Sequence, residues 1–155
     1  VLEADAPVRE RVAAWLGLES VDRLALEVVL RPWLDGMRIV GELDAAAGRV
    51  CGVSLEPYQE AVREALDVRF VPPGSANLPG EDAGEVLVEM DAEDPPEPGE
   101  VEGVDLGALA VETLSLGLPP FARKPGVAFE APLAEPDSSP FAALASLVKR
   151  PPDEG

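Results

Sequence analysis

Chemistry in this chain has few places to start. There is one cysteine, Cys51, and no histidine. Without imidazole there is no Ser-His or Cys-His pair and no imidazole base or metal ligand. Cys51 is followed three residues later by Ser54, and its neighbours Val50 and Val53 are apolar. That setting reads as a small buried residue rather than a reactive thiol. No glycine loop of the P-loop or dinucleotide type runs from a strand into a helix. Carboxylates are abundant, yet abundance is not a catalytic pair held at fixed separation, and no EF-hand pattern is present. The sequence therefore predicts a non-enzymatic protein with no catalytic residues, no resident metal and no cofactor.

Charge is the strongest global feature. Thirty acidic side chains against twelve basic ones give a net charge of −18. Between Pro72 and Gly103 lie Glu81, Asp82, Glu85, Glu89, Asp91, Glu93, Asp94, Glu97, Glu100 and Glu102, with no Lys or Arg. This stretch reads as an acidic arm or a solvated connector, rich in Pro and Gly and poor in apolar surface. A field of this sign repels phosphate and attracts cations or basic protein surfaces. The candidate cationic residues for an RNA or partner contact are Arg38, Arg49, Arg63 and Arg69, with Arg123 and Lys124 further along. Arg38 and Arg49 are expected near one turn, and Arg63 and Arg69 on one face of a strand. The competing reading is a solvated sheet face on which these arginines pair with Glu42, Asp44 and Asp67.

The elements that must position these residues follow from periodicity. Residues 7–16 read as an amphipathic helix with Val8, Val12, Trp15 and Leu16 on one stripe. Asp5 is placed to cap it, Pro7 suits its first turn, and Gly17 ends it. Trp15 is expected to pack this helix onto a sheet. Residues 21–31 alternate as a strand half-buried on one face, ending at Pro32, with Asp35-Gly36 as turn chemistry.

The central stretch, residues 37–73, reads as three short strands. Ile39, Gly41 and Leu43 alternate with polar neighbours, and Ala46, Ala47 and Gly48 suggest a tight turn. Residues 49–55 return as a second strand, and residues 61–71 follow as a third after a bend at Pro57. A helix over residues 60–66 also fits a 3.6 period; the unbroken β-rich run after Asp67 favours strand. Residues 84–90 suggest an edge strand. Residues 104–117 read as a helix capped by Asp105, and residues 141–148 as a last short helix opened by Ser139-Pro140.

The expected fold class is α+β: an antiparallel four- to five-stranded meander sheet with flanking helices and a C-terminal helical segment. The expected organisation is a helix-plus-sheet core over residues 1–73, an acidic loop over 74–103, a helical part over 104–150 and a tail over 151–155. No run approaches the about 20 apolar residues of a membrane span, and a cytoplasmic location is expected.

In order along the chain, Glu3-Ala4, RVAAWLGLESVDRL, RIVGELDAAAGRVCGVSLEPY, VREALDVRF, VDLGALAVETLSLGLPPFARKPG and SPFAALASLVK together resemble the YceD-like proteins. The most specific pieces are residues 51–57 with the upstream Gly41-x-Leu43, the Asp105-Leu106-Gly107 helix start, and Leu118-Pro119. The resemblance implies a role in large-subunit ribosomal RNA accumulation and ribosome biogenesis, with a ribosomal protein, a large-subunit precursor or the rRNA itself as partner; the alternative is a generic protein-interaction domain with no ribosomal link. Many members carry a Cys-x-x-Cys here and a second cysteine group after the leucine-proline segment, which together look like a zinc site. In this chain the first pair is Cys51 and Ser54, and Lys124-Pro125-Gly126 stands in the second slot. One cysteine cannot supply four zinc ligands. The resemblance is therefore to a branch with a degenerate zinc site.

Overall fold

The computed structural model describes residues 1–79, 94–99 and 103–131. Residues Val1–Pro125 form one compact unit and Gly126–Gly155 a second, of which 126–131 are described and carry no regular secondary structure. The first unit runs β1 (Leu2–Glu3), α1 (Ala6–Leu16), β2 (Ser20–Trp33), β3 (Gly36–Val50), β4 (Pro57–Val71), β5 (Glu97–Pro98) and α2 (Leu106–Gly117). The fold is α+β. Its five strands form one sheet in the order of the sequence, antiparallel except where β5 joins β4 in parallel.

Three long strands make most of the sheet, and their register assigns the faces. Leu26 lies opposite Leu43, Ile39 opposite Val68, and Ala45 opposite Val62. These residues face the two helices. Val12 and Ala13 of α1 and Ala110 and Leu114 of α2 join them in a single core. Leu26, Ile39, Leu43 and Leu114 are fully buried, and each such side chain contributes roughly 1.5–3 kcal/mol of burial. The opposite face carries Arg31, Glu27, Arg38, Glu42, Asp44, Arg63, Asp67 and the exposed Val29 and Val40.

Local chemistry sets the helix ends. The Asp5 carboxylate accepts the Val8 N–H at 2.9 Å, and Gly17 closes α1 in the left-handed region at φ 66°. Asp105 accepts from the N–H groups of Gly107 and Ala108 at 2.9 and 3.0 Å. At the other end of α2, a Cβ on Gly117 would lie 2.8 Å from Val62 Cγ1 and 2.5 Å from Glu64 Cγ. Glycine lets this helix end sit directly on β4.

Several expectations need correction. Ala46, Ala47 and Gly48 are not a turn: β3 runs straight through them, paired to Ala61, Glu60 and Gln59. Gly48 serves close approach, since a Cβ there would meet Ser20 Oγ at 2.4 Å. The residues read as a strand after that turn are the end of β3 and a compact loop at 51–56, and Pro57 opens β4 rather than bending it. A first strand residue needs no N–H in the ladder, so proline fits there. Residues 60–66, by contrast, are strand as expected. The β2–β3 turn is Leu34-Asp35, with Leu34 left-handed at φ 51°. Trp15 does not pack on the sheet and is 76% exposed. The inward side of α1 is centred between Val12 and Ala13, roughly 110° around the helix from Trp15 at about 100° per residue. The expected edge strand at 84–90 and helix at 141–148 lie outside the described residues.

Burial at these two sites makes opposite predictions for stability. Leu26→Ala should cost roughly 2–5 kcal/mol, whereas Trp15→Ala should change stability by less than about 1 kcal/mol. Urea unfolding of both variants checks the pair.

Candidate functional site

The long register divides the candidate arginines. Arg38 lies directly opposite Arg69, and Arg31 directly opposite Arg38. Three arginines therefore stand in one row across β2, β3 and β4, on the face away from the helices. Arg31 and the neighbouring Trp33 are residues that sequence reasoning missed. The signal was present: once the turn is placed at Leu34-Asp35, counting back along the hairpin puts position 31 against position 38. Arg63 shares that face near the opposite end of the strands, opposite Asp44. Arg49 does not: it lies on β3 with Arg38, at the other end and on the helix-covered face, not beside Arg38 at a shared turn.

Most of these cations are already engaged. Arg38 forks onto Asp67, with Nε 2.7 Å from one carboxylate oxygen and a second bond from Nη2 to the other. This bidentate bond holds the Asp67 carboxyl below its usual range. Arg69 is buried, lies 5.5 Å from the Trp33 ring centroid and donates to the Asp94 carbonyl at 3.2 Å. Arg63 reaches Asp44 at 3.6 Å, and Arg23 reaches the same carboxylate at 3.3 Å. Arg49 lies 3.5 Å from Glu60 and donates to the Pro119 carbonyl at 2.9 Å. The Tyr58 hydroxyl donates to the same Glu60 at 2.6 Å. Of the arginine row, only Arg31 is exposed with no ion pair among the described residues. Arg123 is exposed beyond α2. The acidic-arm residues Glu81, Asp82, Glu85, Glu89, Asp91 and Glu93 lie outside the described residues; Asp94 is described, against Arg69.

The loop after β3 is built around Cys51. Its sulfur is fully buried and accepts N–H groups from Val53, Ser54 and Lys124, each at 3.4 Å. Cys51 N–H donates to the Glu56 carbonyl, and Leu55 N–H donates back to the Cys51 carbonyl, both at 2.9 Å. Leu55 is left-handed at φ 59°. The chain beyond α2 is clipped to this loop by Gly52 N–H on the Ala122 carbonyl at 2.8 Å and by Lys124 Nζ on Glu56 at 2.9 Å. The Ser54 hydroxyl is buried. That hydroxyl first, then the Ser54 and Lys124 N–H groups, bring the Cys51 thiol down from about 9 to about 6. Donors converging on a sulfur favour its anion.

This arrangement does not fit a zinc ion. The positions around the sulfur present a neutral hydroxyl and N–H donors, and the ammonium of Lys124, whose backbone N–H reaches the sulfur, is paired with Glu56. No group of three or more His, Cys, Asp or Glu side chains among the described residues could hold a metal. The loop is closed by hydrogen bonds to sulfur and one ion pair.

No family model, curated protein or solved structure matches the chain. Among the described residues, no helix is long and apolar enough to cross a membrane.

The Cys51 geometry predicts a specific titration. A folded pKa of about 6 against 9 for an ordinary thiol means that the unfolded chain binds the extra proton between those values. Stability should therefore rise with pH across that window and reach its full value above the unfolded pKa, and this contribution should be lost as pH falls through 6. Ultraviolet thiolate absorbance should titrate near 6, and Cys51→Ser should flatten the stability slope; a midpoint near 9 contradicts the geometry.

Proposed function

We propose that this chain is a non-enzymatic, cytoplasmic factor in large ribosomal subunit biogenesis, supporting large-subunit rRNA accumulation by binding a basic ribosomal protein or assembly intermediate. The observation that carries the reading is the engagement of the sheet arginines. Arg38, Arg49 and Arg63 each meet a carboxylate, and Arg69 is buried against Trp33. Nucleic-acid binding draws its affinity from Lys and Arg that neutralise phosphates. In a body of net charge −18, engaged arginines leave a surface suited to cationic proteins. The family side of the proposal rests on the order of motifs that resembles the YceD-like proteins. The juxtaposition of the Cys51 loop with Lys124 is consistent with it, since those two segments are the ones that the resemblance pairs.

A second reading, direct rRNA contact, is favoured by one observation: Arg31, Arg38 and Arg69 stand in a row beside Trp33. An aromatic ring next to guanidinium groups is the combination that stacks and neutralises single strands.

Sedimentation separates the two. The chain should co-migrate with large-subunit precursors at low salt and remain with their proteins after nuclease treatment. Release by nuclease favours the RNA reading, and free migration throughout contradicts a ribosomal role.

A further inference from the structure

Among the described residues, the outer edge of β4 is unpaired over most of its length. β5 joins it only at Phe70 and Val71. Between Pro57 and Val68 that edge has no backbone partner among the described residues. A hollow of about 640 Å3 lies along it, bounded by α2 on one side and by the Asp94–Gly99 segment at one end. Residues 64 to 68 line this hollow without a gap. Successive strand residues point to opposite faces, so a continuous run places the hollow on the edge rather than over either face.

The lining has a defined chemistry. Among the described residues it contains six carboxylates and no Lys or Arg. Asp67 is taken by Arg38, and Asp105 caps α2. Glu64, Asp94, Glu97 and Glu112 remain, with no ion-pair partner for their carboxylates among the described residues. Between them lie Leu66, Leu109 and the 79%-exposed Leu116. An open edge is a template for any extended chain. Here the template is selective. A second copy of this acidic chain would bring like charge to the carboxylates. A Lys- or Arg-rich strand would pair with them and lay its aliphatic stems on the leucines.

We propose that this hollow takes an extended, Lys/Arg-rich segment of a partner protein as an added strand on β4. Main-chain hydrogen bonds along residues 64–68 hold the segment, and Glu64, Glu97 and Glu112 select its cationic side chains. Naming the partner as a ribosomal protein rests on the function proposed above; the strand-addition site does not. The short β5 already shows that this edge accepts a strand, in parallel, at its far end.

The test uses the full chain and a short labelled peptide of alternating Lys and Val, followed by fluorescence anisotropy. Binding should weaken about tenfold or more when alternate peptide nitrogens are N-methylated, because strand pairing needs those N–H groups. It should weaken similarly in the double variant Glu64→Lys/Glu112→Lys and much less in Glu10→Lys/Glu27→Lys, which changes the same charge on exposed positions outside the hollow. Equal binding of the methylated peptide, or equal loss in both double variants, overturns the site. The methylated-peptide arm uses the unaltered chain and so does not depend on any variant folding. Purified large-subunit ribosomal proteins then serve as competitors. If they bind but Glu64→Lys/Glu112→Lys leaves that binding unchanged, the hollow is refuted while the ribosomal reading stands. If the peptide occupies the hollow and no ribosomal protein competes, the hollow stands without its ribosomal partner.

Discussion

Register is the constraint on which the rest of this molecule depends. Fourteen to fifteen residues of each of β2, β3 and β4 pair side by side, and side chains alternate faces at every step. A slip of one residue in either pairing would turn Leu26, Ile39 and Leu43 outward and the charged set inward. Covering only one face with helices makes that slip expensive, because those leucines and isoleucine have a core on one side and water on the other. The same register determines which arginine meets which carboxylate. Arg38 finds Asp67, and Arg63 finds Asp44, because the pairing brings them together on the uncovered face.

The electrostatic character follows from that pairing more than from composition. A count of charges predicts an acidic body with scattered cations. The register pairs several of those cations with Asp and Glu on the uncovered face, so what the sheet presents outward there is mostly neutralised pairs rather than free cations. Individual exposed pairs contribute little to stability, roughly 0–1 kcal/mol each. Their larger consequence is selection, since they decide what charge a partner meets. The Cys51 loop follows the same principle on a smaller scale. Its geometry is secured by N–H groups converging on one sulfur and by the Lys124–Glu56 pair, an arrangement that needs no ion at its centre.

How much of this could be read from the chain depended on whether the signal was local. Both helices were legible because Asp5, Gly17 and Asp105 state their ends within a few residues, and β2 was legible because its apolar residues alternate. The path of β3 was not. Ala45 to Gly48 carry almost no hydrophobic contrast, and a run of small residues ending in glycine resembles a turn when seen alone. Only the long-range pairing to β2 and β4 shows that the small side chains permit close strand approach. The true hairpin turn was concealed by Leu34, which adopts a left-handed conformation usually left to glycine. With the turn misplaced, the row formed by Arg31, Arg38 and Arg69 was invisible, and Arg49 was assigned to a surface that it does not share. Trp15 was misread because tryptophan on an amphipathic helix normally faces inward, whereas α1 is rotated to bury Val12 and Ala13.

The central claim is that committed arginines in an acidic body leave no effective grip on phosphate. Titrating the purified chain with naked large-subunit rRNA, and in parallel with a basic large-subunit ribosomal protein, over a range of salt concentrations tests it most directly. The proposed function predicts protein binding that weakens as salt rises and no comparable binding to the RNA. Tight, salt-sensitive capture of the bare RNA would contradict it.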